Sequence, residues 1–430
     1  MGMGAFHRAH QAVYTEDANA ASGDIWGITG VSLRSPGVAA QLNPQDGLYT
    51  VSIRSTGTTQ NRLIGAVREV LVAPQNPEAV VAAIAAPRTQ IVSITISEKG
   101  YCRNAGGQLD MSLAGGDSVY RYLRDGLLRR RQAGLGGLTL LSCDNLASNG
   151  QQLRSLFTQY LNATTPALGR WMEDHCTCPA TMVDRIVPAS TAADIDRLAA
   201  SIGLRDEAAV FTEPFTQWVI EDRFAGPRPQ WEAGGAQFTD NVHAFETAKL
   251  RMLNGAHSAL AYLGLARGHE FVHEAVADPP LRALVERLML REAATSITPA
   301  PGQNLGAYAA ALLQRFANTA LHHRLAQISM DGSQKIPQRW LATLAFHQRA
   351  GESCPAILAA LAAWIRFVRG DHWLVDDPRA ADFAALWKSG DASQVVDALF
   401  GPQGLFRSNW VASSADRATL LTTMQSQSTL

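Results

Sequence analysis

The sequence predicts an α/β chain, with a doubly wound sheet in its first half and a mainly α-helical second half. Extended apolar segments alternate with helical ones over roughly two hundred residues, the pattern of a parallel sheet covered by helices on both faces. The segment FAGPRPQWEAGGAQ (224–237) concentrates Gly and Pro and reads as a connection. Beyond it nearly every segment has helical character. The boundary is therefore expected at 237/238, dividing 430 residues into domains 1–237 and 238–430, each long enough for its own core.

The totals exclude several classes. Hydrophobic residues make up 47% and charged residues 17%, and the formal net charge is -1, so no long-range field favours nucleic acid or an anionic membrane. The most apolar helical segment, 355–368, is interrupted by Arg366 and falls short of the ~20 residues needed to span a bilayer. Cys102, Cys143, Cys176, Cys178 and Cys354 are odd in number and mostly scattered. With no signal peptide in view, they point to a reduced cytoplasm and not to a disulfide framework. His175, Cys176 and Cys178 lack a second cluster at ligand spacing, so no metal site is expected there.

In order, the chain opens on MGMGAFHRAH. Gly2 and Gly4 form a GxG, which in a dinucleotide-binding unit lets the backbone turn tightly beside a pyrophosphate, at the start of the next helix. The third position of that fingerprint is His7, and no strand precedes the loop. Strands are predicted near 26–33, 49–53, 62–72, 91–97, 138–143 and 182–187, with helices over 77–85, 118–131, 150–161 and 192–202. Ligands bind at the carboxyl ends of such strands, where SEKGY (97–101) and SCDNLASNG (142–150) lie.

The second half begins with FTDNVHAFETAKLRMLNGAHSAL (238–260), which reads as one helix. Thr239, Asp240 and Asn241 offer N-caps, and Phe245, Leu250, Leu253 and Ala256 an apolar repeat. At ~100° per residue, Glu246, Lys249, Asn254 and His257 fall within an arc of roughly 140°. Such a set is ordinarily a solvated face, but apolar residues on both sides favour a cleft. Further on, MDGSQKIPQRW (330–340) reads as a polar loop between helices. His269, Glu270 and His273 make HExxH, the zinc pair and glutamate base of metalloproteases. That rival reading lacks a clear third ligand, and RGHEFVHEAVADP reads more simply as an exposed amphipathic helix ended by Asp278 and Pro279. No YxxxK occurs.

Together, GMGAFHRAHQAVY, QDGLYTV, SEKGY, SCDNLASNG, MVDRI, KLRMLNGAHS and DGSQKIPQR resemble the mannitol dehydrogenase family of long-chain polyol dehydrogenases, which includes fructuronate and tagaturonate reductases. The resemblance implies a metal-independent, nicotinamide-dependent enzyme with a Rossmann-like domain followed by a helical substrate domain. It implies Lys249 as general acid/base, Asn145 and Asn254 as the amides holding the reacting oxygen, and His257 and Asp184 as substrate partners. Glu246 and Glu98 match carboxylates that pass protons between base and solvent, and Glu98 also lies on the cofactor side. Gly2, Gly4 and Phe6 match the cofactor loop.

These roles have a physical basis. A secondary alcohol releases hydride readily only as its proton leaves, so a base must sit within hydrogen-bond reach. A lysine of ordinary pKa, about 10.4, must be shifted down to serve, as burial does. Neutral amides stabilise developing oxyanion character without pairing with the base.

Three departures bear on the assignment. The family normally has a longer N-terminus that supplies the first Rossmann strand, which is expected to be missing here. Arg34 and Ser35 follow the strand near 26–33, where an NAD site commonly has an acid, so NAD is expected and NADP remains open. Eight residues before Lys335, where mannitol-specific members can carry arginine, stands Gln327. Lys335, Arg339 and His323 would meet a hexuronate carboxylate, or Lys335 polyol hydroxyls. The expected partners are a sugar alcohol, ketose or hexuronate, with no nucleic acid or membrane, for a monomer or small homo-oligomer. A non-catalytic sugar-binding relative is the third reading, and intact Lys249, Asn254, His257, Asn145 and Asp184 count against it.

Overall fold

The structure, a computed structural model, describes residues 1–104, 106–320 and 322–426. They divide into two compact units, Met1–His243 and Ala244–Leu430. The first carries β1 (Ile28–Ser32), β2 (Tyr49–Ser55), β3 (Thr58–Ile64), β4 (Val67–Val72), β5 (Ile91–Ile94), β6 (Thr139–Ser142), β7 (Thr181–Asp184), β8 (Val210–Thr212), β9 (Gln217–Glu221) and β10 (Gln237–Thr239). β1 pairs with β4, β5 with β6, β2 with β8 and β9 with β10 in parallel, whereas β3 and β7 run antiparallel to β2 and β9.

β6 is buried along its whole length because both faces are covered, as parallel strands require. Successive residues point to opposite faces. Leu140 joins a core with Val80, Ile84, Leu123 and Phe157 from three helices, and Leu141 joins Tyr14 and Trp218 in another. Between β1 and β5 lie residues 1–3: the Gly2 N–H donates to the Val31 carbonyl (2.8 Å) and the Thr95 N–H to that of Met1 (3.0 Å). On the far side of β6, the Leu140 N–H reaches the Thr177 carbonyl (2.8 Å), bringing the chain that leads into β7 alongside.

The single strand predicted over 62–72 is two. β3 folds back on β2 through a turn at Gly57, and the chain breaks at Gly65 and Ala66 before β4. The Gly65 N–H leaves the ladder to donate to the Glu16 carboxylate (3.1 Å). Two adjacent apolar runs of one period conceal that break. β8, β9 and β10 are runs of three to five residues, too short to register as a pattern.

The helix predicted over 238–260 is likewise divided. Phe238 and Thr239 belong to β10, opposite Ile220 and Glu221. An α-helix follows over Val242–Ala248, then a π-helical turn over Lys249–Asn254, then an α-helix over Gly255–Ala266. In the second unit this last helix is buried at every position from Gly255 to Leu265, as suits a helix hydrophobic all round. It packs against Pro355–Phe367, whose first amides, Ala356 and Ile357, donate to the buried Glu292 carboxylate (2.9 and 2.8 Å). Two more π turns occur, at Leu288–Ala293 and Pro337–Leu341. The loop expected at 330–340 is in fact a helix, Gly332–Ile336, running into the second of these. Pro337 has no N–H to return to the preceding turn, and the helix widens there. Among the described residues no helix is long and apolar enough to cross a membrane, and all five cysteines are free and buried.

Candidate active site

At the carboxyl edge of the first unit's sheet, the opening turn is built on Gly2. Its φ is +87°, and a Cβ there would stand 2.0 Å from the Thr95 carbonyl oxygen, so only glycine fits. Gly4, by contrast, has no atom within 4 Å of where its Cβ would be, and it begins the helix Ala5–Ala9 with no side chain capping it. Backbone in open space ahead of a helix start is the cradle a dinucleotide pyrophosphate needs, and these residues fit that group. Phe6 stacks on His10, ring centres 5.0 Å apart. His7, at the fingerprint's third position, is turned inward; burial pushes its imidazole down to about 3. Arg34 stands exposed two residues past β1 and makes no hydrogen bond or ion pair among the described residues.

Glu98 is exposed on the turn Glu98–Tyr101, and Asn145 is exposed on the loop after β6. Asp144, which no sequence pattern singles out, ties these loops together. Its carboxylate accepts the Ile96 and Ser97 N–H groups (3.0 and 2.9 Å) and the Tyr101 hydroxyl (2.9 Å). Burial pushes this carboxyl up, against the pull of those bonds. Asn149, likewise not singled out, is fully inside. Its amide nitrogen donates to the carbonyls of Ser142, Asp144 and Thr181, and its oxygen accepts the Thr181 N–H (2.9 Å). That fixes the start of β7, which ends at the buried Asp184.

In the second unit Glu246 is half-buried on the helix before the π turn, and Lys249 and Asn254, both half-buried, are its first and last residues. The Gly255 N–H reaches back five residues to the Leu250 carbonyl. In an α-helix residues five apart sit ~140° apart around the axis; in the wider π turn five residues overshoot one revolution by much less, which brings Lys249 and Asn254 toward one side. No periodicity argument could have found this, although the five-residue spacing is its trace.

His257 is buried on the following helix, with Nε2 lacking a hydrogen-bond partner. Burial holds it well below its ordinary pKa, aided by the positive charges of His323, Arg315 and Arg339. Its ring lies 4.6 Å from that of Phe316 and meets His323 edge-on at 5.3 Å. Arg339, on the π turn at 337–341, donates to Ser258 Oγ (2.6 Å) and the Asn254 carbonyl (3.3 Å), and Trp340 Nε1 to the Gly255 carbonyl (3.1 Å). Burial pushes Arg339 down to about 10. The Lys335 ammonium donates to the Met330 carbonyl (2.6 Å), so it braces the turn that leads into its own helix.

The HExxH segment does not form the helix that a zinc pair needs. Its helix begins only at Val272 and ends at Ala277, leaving His269 and Glu270 outside, because the Glu274 carboxylate caps the start by accepting the Glu270 and Phe271 N–H groups. His269 faces Asp278 (3.4 Å) and Glu270 pairs with Arg324. The exposed amphipathic helix expected over this whole segment is corrected with it.

A family model described as the mannitol dehydrogenase Rossmann domain matches residues 1–233, and one described as the mannitol dehydrogenase C-terminal domain matches residues 241–407. D-mannonate oxidoreductase of Escherichia coli (strain K12) is 40% identical over 428 residues, covering 94% of this chain and 88% of the relative. Mannitol 2-dehydrogenase of Phaeosphaeria nodorum is 36% identical, covering 93% and 75%. A crystal structure of D-sorbitol dehydrogenase in substrate-free form aligns with a TM-score of 0.91 at 29% identity, covering 99% of this chain and 91% of that one. The Pseudomonas fluorescens mannitol 2-dehydrogenase ternary complex with NAD and D-mannitol aligns at 0.81 and 34% identity, covering 99% and 90%.

Proposed function

The chain belongs to the mannitol dehydrogenase family, and from that premise we propose that it interconverts a sugar alcohol, or an aldonate, and the corresponding 2- or 5-keto sugar with NAD, most simply mannitol and fructose. The observation that carries the reading is the π turn that begins at Lys249 and ends at Asn254, followed one helical turn later by His257. The bound dinucleotide supplies hydride for reduction of the ketone and accepts it in the reverse direction. Lys249 takes the hydroxyl proton during oxidation and returns it during reduction. Asn254 and Asn145 donate to the oxygen as it becomes anionic. Glu246, one turn before Lys249, passes the proton toward solvent. His257, neutral because it is buried, and Asp184 hold neighbouring hydroxyls. Gly2, Gly4 and Phe6 cradle the cofactor, with Arg34 and Glu98 beside it, and the free, buried cysteines suit a cytoplasmic setting.

A second reading, an aldonate such as mannonate with fructuronate as the keto form, is favoured by a particular set of charges. Arg339 and Arg315 both act on His257, and two guanidinium charges beside neutral imidazoles suit a carboxylate. NADH consumption measured with fructose, fructuronate and tagaturonate, and repeated with NADPH, separates the readings. Turnover of fructose supports the polyol, turnover of fructuronate alone the aldonate, and no oxidation of either cofactor with any keto sugar would overturn both.

A further inference from the structure

We propose that Asp144 is the positioning residue that locks the loop carrying Glu98 to the loop carrying Asn145, so that the cofactor edge and the amide gripping the reacting oxygen hold one geometry; this rests on the role given to Asn145 above. Asp144 Oδ2 accepts the Ile96 N–H and the Tyr101 hydroxyl, and Oδ1 accepts the Ser97 N–H, all at 2.9–3.0 Å. Ionised acceptors make such bonds roughly twice as strong as neutral ones. The loop they hold would not keep its shape unaided. Ser97 and Cys102, on either side of the Glu98–Tyr101 turn, have φ of +65° and +52°, a region that residues with a side chain leave unless their surroundings over-determine it.

The lock continues in both directions. Thr95, next to Ile96, donates its N–H to the Met1 carbonyl (3.0 Å) and its hydroxyl to that of Gly2 (2.6 Å), which fastens the loop to the glycine turn. Asn149 donates to the Asp144 carbonyl (3.1 Å) and grips Thr181, which fastens the other side to the strand that ends at Asp184. Asp144 therefore sits midway in a chain of hydrogen bonds linking the two ends of the edge, without itself being placed on the substrate. An asparagine there keeps the volume but has one acceptor oxygen. With that oxygen serving Ile96 and Tyr101, its NH2 faces the Ser97 N–H, donor against donor.

The test uses D144N, Y101F, their double variant and N145A in the full chain, with steady-state ketose reduction, far-UV circular dichroism and thermal midpoints. D144N is expected to lower kcat about tenfold or more with ketose KM changed less than about threefold, since a small misplacement of catalytic groups acts on turnover. Y101F, which also loses the contact of the Tyr101 hydroxyl with Ser142 Oγ (2.6 Å), is expected to lower kcat about threefold with its fold unchanged, and the double variant to fall short of the two effects combined, because they share one carboxylate. The proposal is overturned if D144N keeps kcat within twofold, if its loss only matches a loss of folded protein, or if the two effects are additive. Should D144N fail to fold, unchanged kcat in Y101F overturns it alone. N145A distinguishes the premise: full turnover in N145A removes the role of Asn145, whereas an inactive N145A beside a fully active D144N removes only the positioning role.

Discussion

Gly150→Ala sets two effects of opposite sign against each other at the edge of the site. Gly150 is the second residue of the helix Asn149–Thr164, and alanine in a helix is favoured over glycine by up to about 1 kcal/mol. A Cβ at this position, however, would lie 2.5 Å from the Pro179 carbonyl oxygen and 2.6 Å from that of Cys178. These are backbone atoms leading into β7, so the helix must retreat by ~1 Å to restore ordinary contact. The Asn149 bonds to Thr181, now 2.9–3.1 Å, then pass out of hydrogen-bond range. Overpacking costs about 1–3 kcal/mol, and two or three buried hydrogen bonds cost about 1 kcal/mol each. The clash outweighs the propensity by roughly 2–5 kcal/mol, a fall in thermal midpoint on the order of 5–20 °C. Urea and thermal unfolding followed by circular dichroism, with turnover measured beside them, provide the assay. A variant as stable as its parent, or more so, would refute the reasoning.

Lys249→Ala is expected to abolish most turnover while NADH still binds, measured by quenching of protein fluorescence; weakened NADH binding with near-normal turnover would contradict the assigned base. Arg339→Ala removes the bonds to Asn254 and Ser258 and is expected to lower kcat on fructose about tenfold. If the substrate bears a carboxylate, KM for fructuronate should rise as well, and an unchanged kcat on fructose would show that Arg339 does not hold Asn254. Stability should fall with acid through buried histidine. His7 is held down to about 3 in the fold and is near 6.5 when unfolded, so the unfolded state binds the extra proton between those values. Stability is therefore full above about pH 6.5 and is lost below it, approaching about 1.4 kcal/mol per pH unit for this one group. His257 acts in the same sense. Urea midpoints at pH 7 and pH 5 check this, and His7→Gln should flatten the difference.

What the sequence determined by itself was local. The helices over 77–85 and 192–202 were legible to the residue because their ends are written in neighbouring side chains: Asn76 caps Ala79 ahead of Pro77, Thr191 and Asp194 form a capping box, and Gly203 ends its helix in the left-handed region. Gly2, Lys249, Asn254 and His257, to which the proposed roles fall, likewise stood in short motifs. Only the tertiary structure decided that β3 turns back from β4, that Phe238 and Thr239 complete a sheet, and that the helix bearing Lys249 widens into a π turn braced by residues 339 and 340. It also decided what holds the carboxyl edge, where Asp144 meets partners more than forty residues away in sequence. Caps and periods act within one turn of the chain, whereas the groups that satisfy a buried carboxylate or steady a widened helix come from wherever packing brings them, and no local pattern records that.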